Sequence, residues 1–381
     1  MRKKKILYLS NRIRAGYFGT EKFLNNLITA IPEYEHTFIG HDEPFNKMFS
    51  ELGYISINSF GGFEPDGWKK RLFAPISFVC GLYQFLRYFN FFKSADTIVL
   101  PASIIAESCF VLPYVKIAFP DKPIISLIHK NSCDDFIVKN WAYSLYRWVM
   151  SGPKSHQVFV AKSQQEAWVE KKAALKNSIY IFNGVRKESF ECSKKSLENS
   201  KVLNIGFIGR IHLDKGLDVL AQALEKIQLN KETEIHLHIG GEGEDFEVIK
   251  PLFDQINRGN IIISWVGFVK DTGSFFSTLD LLIYPSRKEG FALVLLEAYE
   301  RGLSVLTSDI PSFLEAKEYF GSFEKDLIFA NENSSNLAYK LEYFLNNREK
   351  YSTKIYKTKL HEDLVKNFSL EKMAQNYKKI L

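Results

Sequence analysis

Short apolar runs alternate with amphipathic stretches along the chain, and this rhythm predicts strands and helices in turn. The first run, residues 6–10, predicts a buried strand. The glycine-containing segment 14–20 follows it and leads into residues 21–31, whose apolar side chains recur at helical spacing. Further buried strands are predicted at 97–101, 124–128, 157–161 and 178–182. Strands that alternate with helices are typical of a parallel sheet covered on both faces.

The same alternation starts again after residues 184–200, a polar and aperiodic segment that predicts a linker. Strands are then predicted at 203–208, 235–239, 261–265, 281–284 and 304–307, with helices at 215–227 and 292–301. Because 381 residues exceed one ordinary hydrophobic core, two domains are expected. The predicted parts are an N-terminal α/β domain 1–183, the linker 184–200, a second α/β domain 201–365, and a terminal helix within 366–381.

Composition and charge narrow the class of protein. With 46% hydrophobic and 25% charged residues, the chain has the profile of a globular protein. None of its four cysteines forms a C-x-x-C pair, which argues against a zinc site. Four scattered cysteines in so long a chain are typical of a protein of the reducing cytoplasm. Residues 1–183 carry 23 Lys and Arg against 15 Asp and Glu (+8), and the remainder carries 27 against 29 (−2). The basic half either faces an anionic partner or only carries solvated surface charge.

The segment 68–93 contains nine aromatic residues and five basic residues but no acidic one. On a helix, one apolar seam combines Leu72, Ile76, Val79, Tyr83 and Leu86, and a second combines Phe78, Leu82, Phe85, Phe89 and Phe92. The run is too short and too charged to span a bilayer. It predicts either a helix that lies in the membrane interface or a helix buried between protein layers. In the first case the membrane-facing or acceptor-facing cations are Lys69, Lys70, Arg71 and Arg87.

Residues 284–298 are the strongest candidate for chemistry. A buried strand ends at Tyr284, and a loop then presents Glu289 and Gly290. The helix that follows begins with free backbone N–H groups at Phe291, Ala292, Leu293 and Val294. Such a helix start attracts phosphate. Glu289 is placed to accept hydrogen bonds from sugar hydroxyls, and Glu297, two turns along the helix, either holds a ribose diol or is an ordinary solvated residue.

A second candidate region, residues 206–216, places Arg210 and Lys215 around a strand-to-helix turn. Two cations there can neutralise a departing diphosphate, which is the task of a divalent metal in other transferases. The chain contains no D-x-D motif, so metal-independent chemistry is expected. Taken alone, this region could equally be an ordinary surface loop.

Together these regions resemble the retaining glycosyltransferase family 4, whose members have the GT-B fold of two Rossmann-like domains that face a cleft. Residues 209–216 resemble its diphosphate-binding pair, and Glu289 to Glu297 resemble its E-x7-E motif. Segment 183–185 is similar to the family's hinge, and segment 280–286 to the strand before the motif. Segment 368–371 is similar to the start of a C-terminal helix that crosses back to the first domain. The sequence departs from the family at residues 16–20, which lack two adjacent glycines, and at 130–131, where Lys-Asn replaces the common aspartate.

The resemblance implies a role for each matching residue. Arg210 and Lys215 would hold the diphosphate. The donor sugar would lie on Glu289 and on the backbone that follows it, and the ribose on Glu297. Phe268 and Val269 would lie near the base. Gly19 would lie near the phosphate, and His129 beside the transferred sugar. The catalytic candidates are His129 and Glu289.

The resulting prediction is a retaining, metal-independent enzyme that moves a sugar from a UDP- or GDP-linked donor to a saccharide acceptor. The acceptor is expected to be lipid-linked, in bacterial surface polysaccharide or lipopolysaccharide synthesis, at the inner face of the cell membrane. No nucleic-acid partner, cofactor or metal is expected. The alternatives are a nucleotide-sugar epimerase or hydrolase of the same fold and a non-catalytic nucleotide-sugar-binding protein. A dinucleotide-dependent oxidoreductase is disfavoured, because residues 241–246 lack the third glycine of G-x-G-x-x-G.

Overall fold

The structure is a computed structural model of the 381-residue chain. It describes all residues except 1, 11–18, 41–42, 59–73, 102–109, 130–140, 187–200, 231, 258 and 292. The chain divides into two compact units. Unit 1 comprises Met1–Gly184 together with Leu370–Leu381, and unit 2 comprises Val185–Ser369.

Unit 1 is built around a seven-stranded parallel sheet in the order β3-β2-β1-β4-β5-β6-β7. Its strands are β1 Lys5–Ser10, β2 Glu35–Gly40, β3 Ile55–Asn58, β4 Thr97–Leu100, β5 Ile124–Ile128, β6 His156–Phe159 and β7 Ser178–Tyr180. Its helices are α1 Gly19–Ala30, α2 Glu43–Glu51, α3 Ala74–Arg87, α4 Phe89–Ser94, α5 Leu112–Ala118, α6 Trp141–Val149 and α7 Lys162–Glu170. The chain's last helix, α16 Leu370–Lys378, packs on α1 within this unit.

Unit 2 repeats the plan with a six-stranded parallel sheet in the order β10-β9-β8-β11-β12-β13. Its strands are β8 Val202–Ile208, β9 Glu234–Gly240, β10 Ile261–Gly267, β11 Leu281–Tyr284, β12 Val305–Ser308 and β13 Ile328–Phe329. Its helices are α8 Leu217–Lys226, α9 Phe246–Ile256, α10 Thr272–Ser277, α11 Leu293–Glu300, α12 Pro311–Lys317, α13 Ser322–Asp326, α14 Ser334–Ser352 and α15 Lys354–Phe368. A 3-10 turn, Leu213–Lys215, precedes α8.

Each strand predicted from a buried apolar run is present, with ends that differ by one or two residues, and the predicted class of two Rossmann-like parallel sheets is confirmed. Strands β2, β3 and β13 were not predicted from the sequence. These strands carry weaker signals, since β2 begins with Glu35 and His36 and β13 is only two residues long.

The predicted helix within 68–93 is two helices, because α3 ends at Arg87 and α4 begins at Phe89. The first apolar seam faces outward: Ile76, Val79, Tyr83 and Leu86 are each at least half exposed. The polar side chains of Ser77 and Gln84 are buried instead. The reason is close packing, since a Cβ on Gly81 would lie 2.1 Å from the carbonyl oxygen of Phe110. Within the part of the chain that the structure describes, no helix combines the length and the apolar character needed to cross a membrane.

Gly216 links the 3-10 turn to α8 in a left-handed conformation, with φ of 68°. A Cβ at this position would lie 2.0 Å from the carbonyl oxygen of Pro285, which follows β11. Glycine is therefore required here for two reasons, the positive φ and the close approach of a second backbone segment.

We predict that Gly216→Ala destabilises unit 2 more than Gly259→Ala does. Both residues have a positive φ, but a Cβ on Gly259 meets nothing within 4 Å. The Gly259 variant should cost about 1 kcal/mol for left-handed strain, and the Gly216 variant about 1–3 kcal/mol more for the steric clash. Urea denaturation measures both free energies of unfolding. Equal losses in the two variants would show that the approach to Pro285 is not a tight constraint.

Candidate functional site

The two regions singled out in the sequence lie on neighbouring connections of unit 2. Strands β8 and β11 pair directly, with Leu281 opposite Ile205 and Leu282 opposite Gly206. Because the strands are parallel, the segments that follow them leave the same edge of the sheet. The first segment contains Arg210 and Lys215, and the second contains Glu289. Ligands of open parallel sheets bind at this carboxyl edge.

Lys215 and Glu289 form an ion pair across the two connections, Nζ to Oε1. Both side chains are largely buried, with 16% and 13% exposed. Ser286 supports the pair, since its Oγ donates to the same Oε1 at 2.9 Å. The Lys215 ammonium also lies 5.8 Å from the ring centre of Tyr284. The residue expected to bind diphosphate and the residue expected to bind sugar are thus brought together.

The Glu289 loop is anchored to the core beneath it. Ser308, at the end of β12, donates to the Ser286 carbonyl at 2.6 Å. The Tyr284 ring stacks on Phe207 of β8, with 5.7 Å between ring centres. Burial raises the pKa of Tyr284 well above its usual value, and the nearby Glu289 carboxylate raises it further. Tyr284 therefore stays neutral and serves as packing for the pair above it.

Arg210 is held more loosely than Lys215. Its guanidinium lies 3.8 Å from Glu244, and the two side chains are 46% and 67% exposed. Glu244 also lies 3.2 Å from Nε2 of His212, whose Nδ1 accepts from the backbone N–H of Asp214 at 3.0 Å. An exposed pair at this separation contributes little to stability. Arg210 is therefore free to exchange its partner for a stronger anion.

Helix α11 starts four residues after Glu289 and presents its first turn at the same edge of the sheet. Phe291 and Leu293 are buried, Gly290 and Val294 are half-buried, and Ala292 lies outside the described residues. Glu297 is not an ordinary solvated residue, since it is only 9% exposed and accepts a hydrogen bond from Thr272 at 3.2 Å. A nearly buried carboxylate needs such partners, and the assignment of Glu297 to a ribose stays a prediction.

Phe268 and Val269 follow β10, two strands away from β8 in the same sheet. Phe268 is 62% exposed. Val269 reaches toward β9, where a Cβ on Gly240 would lie 2.7 Å from its Cγ2. Both residues therefore lie at the carboxyl edge of the sheet, and their role near a base stays a prediction.

The candidates of unit 1 are less fully defined. His129 follows β5 and packs edge-on against Phe23 of α1, with 4.9 Å between ring centres. Gly19 is the exposed first residue of α1, and a Cβ there meets nothing within 4 Å. The predicted loop residues 16–18 and the cations Lys69, Lys70 and Arg71 lie outside the described residues. Arg87 is exposed and donates to the hydroxyl of Tyr83 at 3.2 Å.

Three features of the site were not identified in the sequence. Ser286 and Thr272 hold the two glutamates, and Arg287 joins the two connections through its side chain. Ser286 and Arg287 lie within the segment that the sequence analysis selected, but nothing in the sequence names their partners. Thr272 lies 25 residues from Glu297, so its contact is a product of the fold.

Comparisons with known proteins show which proteins the chain resembles. Residues 188–361, a little less than half of the chain, match the family model described as Glycosyl transferases group 1. The O-antigen biosynthesis glycosyltransferase WclY of Escherichia coli is 29% identical over 216 residues, 55% of this chain and 56% of WclY. The capsular polysaccharide biosynthesis glycosyltransferase CapM of Staphylococcus aureus is 27% identical over 172 residues, 42% of this chain and 44% of CapM. The chain spans about half the length of the curated relatives it matches.

Solved structures extend the likeness to the whole chain. A crystal structure of Anabaena HepE in complex with UDP and glucose superposes with a TM-score of 0.74 at 16% identity, covering 99% of this chain and 98% of HepE. At that identity the likeness establishes the fold. Residues 188–361 thus match the family model Glycosyl transferases group 1, and the chain has the GT-B fold of two Rossmann-like domains.

Proposed function

We propose that this protein is a glycosyltransferase that moves a sugar from a nucleotide-diphosphate-sugar to a saccharide acceptor in bacterial surface polysaccharide synthesis. The observation that carries the proposal is the Lys215–Glu289 pair beside the start of α11. It joins a cation suited to phosphate and a carboxylate suited to sugar hydroxyls at one edge of one sheet. The names of the WclY and CapM relatives and the UDP complex of HepE support the substrate class.

The donor is a UDP- or GDP-linked sugar, and its diphosphate lies on Lys215, Arg210 and the free N–H groups of α11. These groups stabilise the charge that develops on the leaving diphosphate, so the reaction needs no metal. Glu289 orients the sugar, and Glu297 accepts from the ribose hydroxyls. Transfer proceeds with retention, and the leaving phosphate assists the deprotonation of the acceptor hydroxyl.

We predict opposite effects of two substitutions on nucleoside diphosphate affinity. Lys215→Ala should weaken the binding of UDP or GDP about tenfold, because a charge-assisted contact is lost. Glu289→Ala should bind the diphosphate at least as tightly as the unsubstituted protein, because Lys215 loses a competing carboxylate. The same Glu289→Ala variant should release the nucleoside diphosphate from the matching nucleotide-sugar about 100-fold more slowly, since the sugar loses its anchor.

Calorimetric titration in EDTA with UDP, GDP and their sugars measures these affinities. Lys250→Ala is the control, because Lys250 pairs with Asp254 on α9 and takes no part in the site. Undiminished affinity in Lys215→Ala would contradict the donor-site assignment. Tight binding of the nucleotide-sugar without turnover in any preparation would favour the non-catalytic binding protein. Release of free sugar, or its epimerisation, with no acceptor would favour the hydrolase or epimerase.

The acceptor part of the proposal is a lipid-linked saccharide reached at an anionic membrane surface. Support comes from the exposed face of α3, where Val79 and Leu86 are 67% and 63% exposed. Helix α5 packs on α3 and exposes Ile117, and α6 packs on α5 and exposes Trp148. The sequences of α3 to α6 contain no acidic residue and four basic ones, Arg87, Lys93, Lys116 and Arg147.

Apolar and aromatic side chains next to unbalanced positive charge are the chemistry that binds an anionic bilayer interface. The burial of Ser77 and Gln84 supports a membrane-facing role, because it leaves the apolar seam of α3 on the surface. An exposed apolar face of this kind is rarely left without a partner. The protein would then act as a peripheral enzyme on the inner face of the cell membrane.

We predict that the double variant Val79→Ser/Leu86→Ser partitions onto phosphatidylglycerol-containing vesicles at least tenfold more weakly, because each buried side chain contributes about 1.5–3 kcal/mol. Charge reversal of Lys69, Lys70 and Arg71 to Glu should release the protein from the same vesicles but leave the weaker binding to phosphatidylcholine unchanged. Vesicle flotation measures both.

Ile355→Ser is the matched control for the apolar variant. Ile355 is 84% exposed but lies on α15 of unit 2, so its replacement should not change partitioning. If partitioning were unchanged in the α3 double variant and in the charge-reversal variant, the membrane assignment would be wrong, whatever the outcome of the donor titrations.

A further inference from the structure

We infer that Arg287 is a positioning residue that fixes the distance between Lys215 and Glu289. The inference rests on the proposed function, because it assigns a role within the same donor site. Arg287 lies two residues before Glu289, on the connection that follows β11. Three of its partners, Leu213, Asp214 and Asp218, lie on both sides of Lys215 in the segment that follows β8.

The side chain of Arg287 spans the two connections. Its Nη1 and Nη2 donate to the two carboxylate oxygens of Asp218 at 2.8 Å and 2.7 Å, and Nη1 also donates to the carbonyl of Leu213. The Arg287 backbone N–H donates to the carbonyl of Asp214 at 2.8 Å. These three partners flank Lys215 in sequence, so the 3-10 turn is held against the Glu289 loop from both ends. The tight approach of Gly216 to Pro285 lies between them.

The guanidinium of Arg287 is committed to these contacts. Its Nε donates to Glu332 at 2.8 Å, so all three of its nitrogen atoms have protein acceptors. Its side chain is 21% exposed, whereas that of Arg210 is 46% exposed and lies 3.8 Å from a single carboxylate. Arg210 is therefore the arginine available to a diphosphate, and Arg287 holds the two connections together.

The bidentate pair is charged at working pH. Burial alone would raise the pKa of Asp218, but the hydrogen bonds and charge of Arg287 outweigh burial and lower that pKa below its usual range. Since the pKa in the folded protein is lowered, the Asp218 carboxylate stays ionised at neutral pH and the contact is lost only in acid. A planar guanidinium against a carboxylate also fixes orientation, which an ammonium would not do.

The consequence concerns geometry rather than charge. Lys215 and Glu289 must contact different parts of one donor, so a shift of one connection against the other spoils both contacts together. Displacements of about 1 Å at such sites reduce rates about 100-fold. Arg287 acts through Lys215 and Glu289, and its loss should have no effect once those residues are gone.

The test is the affinity of Arg287→Met and Asp218→Asn for whichever nucleotide-sugar, UDP- or GDP-linked, the unsubstituted protein binds, titrated in EDTA. Each variant should bind about tenfold more weakly, and the double variant should be no weaker than Arg287→Met alone, because one contact is removed in either case. In a Lys215→Met background, Arg287→Met should change the affinity less than twofold. If Arg287→Met fails to fold, Asp218→Asn and Arg287→Lys give the same comparison.

Lys350→Met is the matched control. Lys350 is a partly buried cation of α14 that pairs with Asp326 and the hydroxyl of Tyr343, so its loss should lower the melting temperature without changing the affinity. Unchanged affinity in both Arg287→Met and Asp218→Asn would overturn the inference and leave the proposed function intact. A full additional loss in the Lys215→Met background would overturn it too, by making Arg287 an independent phosphate contact. No binding of UDP, GDP or their sugars to the unsubstituted protein would overturn both.

Discussion

The direct pairing of β8 with β11 is the constraint on which the candidate site depends. These strands are more than 70 residues apart in sequence, yet their parallel pairing delivers the segments after them to one place. The approach is so close that one position tolerates only glycine: Gly216 lies under the carbonyl of Pro285. The contact of Lys215 with Glu289 and the reach of Arg287 both follow from that proximity. Sheet topology, rather than any local motif, therefore builds the site.

The electrostatics of the site follow from the same proximity. Each cation that we assign to the diphosphate is paired with a glutamate in this structure, Lys215 with Glu289 and Arg210 with Glu244. An isolated, largely buried ammonium would be costly, so Glu289 stabilises the Lys215 ammonium. In the proposed function, binding of the donor is then an exchange of partners. The diphosphate takes the cations, and the sugar hydroxyls take the carboxylate that is released.

The sequence predicted this site in outline because its signals are local. Apolar runs located β8 and β11, and the loop after each strand showed its charged residues directly. The partners of those residues could not be predicted, because each contact joins distant parts of the chain. Arg287 contacts Asp218, 69 residues away, and Thr272 contacts Glu297, 25 residues away. The burial of Glu297 could not be predicted for the same reason, because the residues that cover its carboxylate come from distant parts of the chain.

Helix α3 shows why hydrophobic pattern alone does not fix which face of an element is buried. The rule that apolar faces turn inward would bury Val79 and Leu86 and expose Ser77 and Gln84, and the structure has the reverse. Small residues reverse the rule, because Gly81 lets the helix backbone approach Phe110 more closely than any side chain would allow. Phe85 and Phe92 then fill the core on that side, so the core still has apolar side chains there. The outward apolar seam is thus the result of tight packing on the opposite face, and in the proposed function this seam is the face that meets the membrane.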